Sequence, residues 1–379
     1  MMDIAIIGGG IAGLTTALAL KQKGFSATVY ERADELNEIG AGIWIQPNAL
    51  QVLNHLGLKE ELLNSGVQLD RVDITDNQLR PFSKGGNIVQ DQKGNKIVSI
   101  HRARLHKILY DSLPKNTVKL DCELKSFTQN SDGIKLDFHD TSVSADFVLA
   151  ADGINSKTRK QLFPKSSLRD TGQTCWRGIA NMALPDQLQN LGREAWGNNV
   201  RFGFSQVSED SVYWFAVAKS APFIKDDLPQ LKDKLKTMFE SFHPIVNQII
   251  TETEEQKIIR GDLLDLKRLD RWHSQNICLL GDAAHATTPN MGQGAGQGIE
   301  DAYTIAELFS KYSATPQLFE QFEKVRRDKV DYVVNNSWRF GKMAHSRAGK
   351  LLLKSIVKLT PEKIMKKQLE KLYKLPQIK

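Results

Sequence analysis

The sequence predicts an α/β fold in which a parallel sheet is interrupted by an antiparallel sheet and followed by basic C-terminal helices. Residues 4–30 form an apolar run, an Ala/Leu-rich stretch and a second apolar run, as in a βαβ unit. Between about residues 171 and 255, alternating segments such as 212–217 indicate antiparallel strands. Parallel-strand texture returns at 277–280, so the parallel-sheet domain is predicted to be discontinuous.

Length and composition indicate a soluble globular protein with a large core. The chain has 379 residues, of which 41% are hydrophobic and 25% charged, which excludes a disordered or fibrous chain. Cys122, Cys175 and Cys278 have no CxxC spacing, so we expect neither disulfides nor a metal site. The N-terminus does not resemble a signal peptide, and no apolar run reaches ~18 residues, which predicts a cytoplasmic location.

The formal charge of +7 is concentrated at the C-terminus, where residues 350–379 hold nine lysines against two glutamates. Lys350, Lys354 and Lys358 recur every four residues, on one face of a predicted helix. A basic segment of this kind can contact nucleic acid, acidic protein or anionic lipid. We favour a solvated helix face, predict no nucleic-acid partner, and keep membrane contact as the lesser alternative.

The first glycine cluster predicts dinucleotide binding by a Rossmann-like domain. Gly8, Gly10 and Gly13, with Ala12 between them, form G-x-G-x-x-G between the first strand and helix, and Glu31 ends the second strand. Glycine permits the tight turn and lets backbone amides approach a pyrophosphate at the helix N-terminus, while the carboxylate accepts hydrogen bonds from ribose. The alternative is a glycine-rich turn without a ligand.

Two aspartates favour a flavin over a nicotinamide as the bound dinucleotide. Asp152, followed by Gly153, comes after the apolar strand predicted at 147–151, and Asp282 follows the strand at 277–280. Ligands of open α/β sheets sit at the carboxyl ends of strands, where these carboxylates would meet ribityl hydroxyls. For either aspartate alone, a helix cap or turn is the competing interpretation.

A second glycine-rich segment precedes a helix that we expect to begin near Ile299. It starts after Pro289 and includes Gly292, Gly294 and Ala295. Open backbone amides and a helix N-terminus together suit an anionic ligand such as a pyrophosphate or reduced flavin. An exposed flexible loop is the alternative.

Taken together, these segments resemble the FAD-dependent aromatic hydroxylase family. That family shares the fold of p-hydroxybenzoate hydroxylase and includes salicylate and 3-hydroxybenzoate 6-hydroxylases, bacterial urate hydroxylase and zeaxanthin epoxidase. The matching segments occur in family order and are specific for the family rather than for a substrate. They cover residues 4–32, 40–57, 101–109, 150–159 and 279–302.

The resemblance implies an FAD cofactor and NAD(P)H as a transient reductant. Glu31 would bind the adenosine ribose, while Arg32 and Arg102 would contact the adenosine or pyrophosphate region. Asp282 would bind the ribityl chain or phosphate, and Asp152 with Gly153 is associated with FAD and NAD(P)H. The flavin ring would be lined by Pro289, the loop from Gly292 through Gly294 to Ala295, and Gly42.

The resemblance also implies the chemistry of a single-component monooxygenase. NAD(P)H would reduce FAD, O2 would add to give a C4a-hydroperoxide, and its distal oxygen would pass to a small planar aromatic or heteroaromatic substrate. The site must exclude water to protect this species. An electron-rich substrate is favoured, because its carbon attacks an electrophilic oxygen.

Arg201 and Tyr213 are the candidate catalytic residues, on two neighbouring predicted strands. Arginine can clamp a planar anion and tyrosine can donate a proton, and both positions resemble substrate contacts of the urate-hydroxylase branch. The alternative is that Arg201 lies on the surface and Tyr213 in the core. Trp44 and Gln46 are further pocket candidates, and His285 is expected to be structural.

Other activities remain open on the same scaffold. They are a flavin reductase, halogenase or dehydrogenase, a noncatalytic FAD-binding protein, and an enzyme that inactivates tetracycline or rifamycin antibiotics. The halogenase W-x-W-x-I-P segment is absent. The substrate, the choice between NADH and NADPH and the oligomeric state are also open. The predicted domains are FAD-binding at 1–70, 96–170 and 265–340, substrate-binding at 71–95 and 171–264, and C-terminal at 341–379.

Overall fold

The computed structural model describes residues 2–35, 40–82, 90–130, 133–344 and 346–378. The strands are β1 (Ile4–Ile7), β2 (Ala27–Tyr30), β3 (Gly42–Ile45), β4 (Gly66–Leu69), β5 (Arg71–Asp76), β6 (Ile97–His101), β7 (Val118–Lys119), β8 (Ser126–Asn130), β9 (Gly133–Asp137), β10 (Ser142–Ala145), β11 (Phe147–Ala150), β12 (Leu168–Asn181), β13 (Leu191–Trp196), β14 (Val200–Ser208), β15 (Ser211–Lys219), β16 (Ile259–Leu266), β17 (His273–Ser274) and β18 (Ile277–Leu279). The helices are α1 (Ile11–Gln22), α2 (Pro47–His55), α3 (Lys59–Ser65), α4 (Arg102–Asp111), α5 (Lys157–Leu162), α6 (Leu228–Met238), α7 (Pro244–Thr251), α8 (Asp282–His285), α9 (Gly294–Lys311), α10 (Gln317–Ala344), α11 (Arg347–Leu359) and α12 (Glu362–Tyr373).

The nucleotide-type sheet has the strand order β17-β18-β11-β1-β2-β7. β1 runs parallel to β2 and β11, and β11 runs parallel to β18. β1 and β11 are buried along their whole length, as expected for apolar strands of a parallel sheet covered on both faces. The carboxyl ends of β1, β2, β11 and β18 therefore meet at one edge, which confirms the α/β fold.

The inserted antiparallel sheet has the order β16-β12-β15-β14-β13-β5. Because strand side chains alternate, each strand presents two different faces. Phe202, Phe204 and Trp214 point to one face, where they pack into a core with residues of α6 and α7. Arg201 and Tyr213 alternate with these residues and belong to the opposite face. One face of the sheet thus packs into the core, and the other face carries Arg201 and Tyr213.

Gly57, which has a φ of +79°, separates α2 from α3. One predicted helix boundary is wrong. The helix expected near Ile299 begins earlier, at Gly294. The reason is close packing rather than a loop, since a Cβ at Gly298 would lie only 3.1 Å from the Cβ of Ala12 on α1.

A buried ion cluster joins α9 and α10. Arg326 donates to Glu300 at 2.5 Å and to Asp301 at 2.7 Å, and all three side chains are fully buried. Asp301 also accepts hydrogen bonds from the Gly281 amide at 2.9 Å and from His285 Nε2 at 2.7 Å. Burial favours the neutral acid, but the charges of His285 and Arg326 hold the pKa of Asp301 below its usual value. The cluster ties both helices to the turn after β18.

Replacing Arg326 with Met is expected to lower the free energy of unfolding by about 3 kcal/mol, because two buried carboxylates lose the arginine that they share, although Asp301 keeps His285 and Glu300 keeps Lys329. Urea unfolding followed by circular dichroism measures the change. The matched control is Arg268→Gln, which removes an exposed ion pair with Asp331 and should cost less than about 1 kcal/mol. Equal stability of the two variants would contradict the role given to the cluster.

Candidate active site

The glycine turn after β1 brings backbone amides to the shared edge of the sheet. Gly8 has a φ of +102°, and a Cβ there would lie 2.9 Å from the Ala151 carbonyl carbon. A Cβ at Gly13 would collide with the Gly8 carbonyl oxygen, so both positions require glycine. Gly10 is the N-cap residue of α1, and the described residues place no side-chain cap at this helix start. The first amides of α1 are therefore available to an anion.

Three charged residues surround this turn. Glu31 accepts hydrogen bonds from the Gly9 amide at 2.6 Å and from the Ala33 amide at 3.0 Å, which fixes its carboxylate beside the glycines. Arg32 is exposed next to it. Arg102 is exposed at the start of α4, with its side chain against Gly40. The edge thus combines a carboxylate for ribose hydroxyls with cations for phosphates.

Asp152 lies two residues beyond β11. One of its carboxylate oxygens accepts hydrogen bonds, and the other has no partner among the described residues. Its Oδ2 accepts hydrogen bonds from the Thr158 amide and hydroxyl, both at 3.0 Å. Its Oδ1 is buried and has no partner among the described residues. Buried carboxylate oxygens are rarely left unpaired, so this atom fits a ligand hydroxyl. Gly153 follows with a φ of +77°, which turns the chain away.

Asp282 begins α8 and faces the cleft in front of the parallel strands. Its side chain is accessible from the cleft. Desolvation by the surrounding protein raises the pKa of Asp282, although the charges of His285, Arg102 and Arg159 act in the opposite direction. Arg159 was not singled out by the sequence, although it ends one of the matching segments. It donates to the carbonyl oxygens of Ala283 at 3.1 Å and Ile154 at 2.6 Å, so it braces the two aspartate turns.

The second glycine segment forms the opposite border of the cleft. A short 3₁₀ turn, Pro289–Met291, ends at Gly292, which has a φ of +61°. A Cβ at Gly292 would lie 2.9 Å from Gln46 Nε2, so Gln46 packs against this turn. Gly294 and Ala295 form the first turn of α9, which lacks a side-chain cap in the described structure. This border therefore also offers free amides.

Tyr213 joins the antiparallel sheet to a separate three-stranded sheet of order β3-β6-β4. A Cβ on Gly42 of β3 would collide with the Tyr213 ring, so this glycine allows close contact. Arg177, which was not singled out in the sequence, lies close to Tyr213 on the neighbouring strand β12. Burial raises the pKa of Tyr213 to about 12, against the opposing charge of Arg177. The phenol is thus neutral at physiological pH.

Arg201 is buried rather than on the surface, with a relative exposure of 2%. It donates to Glu194 Oε1 at 2.9 Å and to Asn290 Oδ1 at 2.7 Å. Its Nε is buried without a partner among the described residues. Since Asn290 lies between Pro289 and Gly292, Arg201 connects the antiparallel sheet to the glycine border.

The sheet face between Arg201 and Tyr213 forms an aromatic floor. Arg201 pairs with Val217, which is four residues from Tyr213 on β15, so the two ends lie about 13 Å apart along the strand. Phe215 lies between them, where a Cβ on Gly203 would collide with its ring. Trp44 packs edge-on to Phe215 at 6.2 Å. The two predicted catalytic residues therefore share one face but stand at opposite ends of it.

Known proteins resemble this chain in sequence over most of its length. Residues 1–337 match the FAD binding domain family. The aurachin C monooxygenase/isomerase of Stigmatella aurantiaca is 32% identical, covering 90% of this chain and 89% of that protein. The 2-heptyl-3-hydroxy-4(1H)-quinolone synthase of Pseudomonas aeruginosa is 29% identical, covering 95% and 94%. The FAD-dependent urate hydroxylase of Klebsiella pneumoniae is 28% identical, covering 87% of each chain.

The fold agrees with a solved structure. Klebsiella pneumoniae HpxO complexed with FAD and uric acid superposes with a TM-score of 0.87 at 24% identity, covering 98% of this chain and 96% of that one. Among the described residues, no group of His, Cys, Asp or Glu is arranged to hold a metal ion. The uncapped helix starts, the unused Asp152 oxygen and the Glu31 carboxylate fit an extended dinucleotide such as FAD.

The change Glu31→Gln is expected to weaken FAD binding roughly tenfold to hundredfold, because a hydrogen bond to a charged acceptor is lost. Titration of the FAD-free protein, followed by flavin fluorescence, measures the dissociation constant. Glu35→Gln removes an exposed carboxylate four residues away and serves as the control. Unchanged affinity in Glu31→Gln would remove this residue from the cofactor site.

Proposed function

We propose that this chain, which belongs to the FAD binding domain family, hydroxylates a planar heteroaromatic ring of the quinolone type. It is an FAD-dependent monooxygenase of the aromatic hydroxylase type. When bound, FAD supplies electron transfer from NAD(P)H and the activation of O2. The observation that carries the proposal is the aromatic floor between Arg201 and Tyr213, beside the glycine border at Gly292.

In this proposal, the residues of the sheet edge hold FAD. The amides around Gly8, Gly10, Ala12 and Gly13 receive the pyrophosphate at the start of α1. Glu31 binds the ribose, with Arg32 and Arg102 near the phosphates. The Asp152–Gly153 turn and Asp282 take the ribityl hydroxyls. Support comes from the unused buried oxygen of Asp152 and from the open position of Asp282. The flavin ring would be lined by Gly42, Pro289, Gly292, Gly294 and Ala295.

The charge balance at the Arg201 end supports a neutral substrate. Glu194 neutralises the Arg201 guanidinium, so a substrate carboxylate would gain little from Arg201 at this end of the floor. The neighbouring side chains Cys175, Val217 and Leu263 form an apolar cluster with Phe215. A neutral ring with an apolar substituent suits this end better than a benzoate does. One of the relatives, the 2-heptyl-3-hydroxy-4(1H)-quinolone synthase, is named for such a compound.

At the other end of the floor, Tyr213 supplies a neutral hydroxyl. Because its pKa is raised to about 12, the phenol keeps its proton and donates it in a hydrogen bond. Arg177 lies close to this side chain on β12. An oxygen attached to the substrate ring, such as a quinolone carbonyl oxygen, would accept this hydrogen bond. The bond would hold the ring in one orientation towards the cofactor. The close contact of Tyr213 with Gly42 limits water entry.

The proposal is tested by NADH and NADPH oxidation with a substrate panel, with product mass and hydrogen peroxide measured together. The panel contains 4-quinolones with and without an alkyl chain, urate, 6-hydroxynicotinate, salicylate and a tetracycline. We expect alkyl-quinolones to stimulate oxidation and to gain one oxygen atom. Preferred turnover of urate, salicylate or tetracycline would reject the quinolone class, and peroxide as the sole product with every compound would reject hydroxylation.

Arg201→Gln is expected to uncouple NAD(P)H oxidation from hydroxylation. The substitution removes the guanidinium at this end of the floor and its hydrogen bond to Asn290. The yield of hydroxylated product per NAD(P)H should fall at least roughly tenfold, with peroxide rising in its place. FAD content should stay unchanged. The control is Arg260→Gln, which removes a partly buried arginine that is paired with Asp226 and Asp262 in the same sheet. Full coupling in Arg201→Gln would contradict the assigned role.

Tyr213→Phe keeps the ring but removes the proton donor, so kcat for hydroxylation should fall roughly hundredfold. Tyr110→Phe changes an exposed tyrosine and is the control. The wild-type pH profile is also informative. A raised pKa of about 12 keeps the phenol protonated up to strongly alkaline pH, and activity that depends on this proton is lost only above that range. A loss near pH 10 that Tyr213→Phe abolishes would contradict this assignment.

A further inference from the structure

The C-terminal helices carry an unusual concentration of exposed apolar side chains. Among the residues that the structure describes, five of the eleven exposed large hydrophobic side chains lie within residues 351–364. They are Leu351, Leu352, Ile356 and Leu359 of α11 and Ile364 of α12. Clustered exposed apolar groups mark interaction surfaces more often than scattered ones do. We call these five residues and the exposed lysines of α12 the C-terminal surface.

The apolar part of this surface lies on one side of α11. Leu352, Ile356 and Leu359 are spaced four and three residues apart, which places them on one helix face, and they are 54%, 46% and 75% exposed. Leu353 is buried in a cluster with Trp196. Since α11 is anchored through Leu353, its outer leucines are held away from the protein body.

The adjoining part of the surface is strongly basic. Lys363, Lys367 and Lys371 are exposed and recur every four residues along α12. The opposite side of α12 is anchored by Leu372 and Tyr373, which pack with Val333 of α10. Residues 350–379 hold nine lysines against two glutamates. The side chains of Lys350, Lys354 and Lys358, where the sequence predicts a basic face, lie outside the described part of the structure.

We propose that the C-terminal surface adsorbs to anionic lipid bilayers. The leucines of α11 enter the boundary between headgroups and acyl chains, and the lysines of α12 contact the lipid phosphates. This combination selects a bilayer among the possible partners. Nucleic acid would leave the leucines in water, and a second copy of the chain would place like charges together.

The inference goes beyond the proposed function, because this surface is separate from the floor between Arg201 and Tyr213. The two are nevertheless close. Leu353 of α11 packs with Trp196, and Trp196 pairs with Arg201 between β13 and β14. The adsorbed helix is therefore one layer of side chains from the Arg201 end of the floor. In the described chain, no helix is both long and apolar enough to span a membrane.

Vesicle flotation of the FAD-loaded enzyme tests the proposal. Vesicles of phosphatidylcholine alone are compared with vesicles that also contain phosphatidylglycerol. We expect at least roughly tenfold more binding to the anionic vesicles at low salt, and a decrease when salt rises to about 0.5 M. Enzyme that stays in the soluble fraction with anionic vesicles at low salt would overturn the proposal.

The apolar contribution is tested with the double variant Leu352→Gln/Leu359→Gln. Because two exposed leucines no longer enter the bilayer, binding to anionic vesicles should fall at least roughly tenfold. Tyr110→Gln changes an exposed apolar side chain on α4 and should bind as the wild type does. Unchanged FAD content and circular dichroism show that the variants are folded. Wild-type binding by the leucine variant would overturn the proposal.

The charge contribution is tested with the triple variant Lys363→Gln/Lys367→Gln/Lys371→Gln. Each lysine near an anionic surface contributes to the free energy of membrane binding. Binding should therefore fall by roughly tenfold or more and lose its salt dependence. The matched control removes three exposed lysines elsewhere: Lys93→Gln/Lys115→Gln/Lys165→Gln. Equal loss in both triple variants would reject a specific C-terminal surface.

Gel filtration with light scattering tests whether a second copy of the chain, rather than a lipid bilayer, covers the apolar face. The proposal predicts the same mass for the wild type and the Leu352→Gln/Leu359→Gln variant in the absence of lipid. A wild-type dimer that this double variant dissociates, together with no vesicle binding, would assign the face to self-association and overturn membrane adsorption.

Discussion

The buried ion pair between Arg326 and the two carboxylates of α9 is the interaction on which the cofactor side of the molecule depends. Glu300 and Asp301 are fully buried, and unpaired carboxylates in such a position would be strongly destabilising. Asp301 also fixes the Gly281 amide, in the turn that presents Asp282 to the cleft. A residue of α10, far along the chain from the glycine motif, thus holds one wall of the cofactor cleft in place.

Close contacts at glycines set the geometry of the other wall. Gly42 lies against Tyr213, and Gly203 lies under Phe215, in positions where a Cβ would collide with the ring. Gly42 lets the three-stranded sheet β3-β6-β4 approach the antiparallel sheet, whereas Gly203 makes room for Phe215 within the antiparallel sheet. This face is therefore shaped by the absence of side chains as much as by Arg201 and Tyr213, and Arg177 lies opposite Phe215 between the two ends.

Local sequence spacing was sufficient to predict the parts of the site that lie on one element or on adjacent elements. The βαβ unit, the glycine turn and the strand positions of Arg201 and Tyr213 follow from periodicity and motif spacing. Arg177 and Arg326 were missed because their partners are brought together only by tertiary pairing. Arg177 reaches Tyr213 through the register of β12 with β15, and Arg326 reaches α9 across a helix interface. The early start of α9 was missed because glycines suited to a loop also suit close helix packing.

We propose that FAD and an aromatic substrate meet in the cleft between the parallel-strand edge and the aromatic floor. A crystal structure of the enzyme with FAD and a 4-quinolone is the decisive measurement. We expect the flavin ring beside Gly292 and Pro289, and the quinolone over Phe215 between Arg201 and Tyr213. A quinolone bound outside this cleft, or a flavin ring remote from the Gly292 turn, would contradict it.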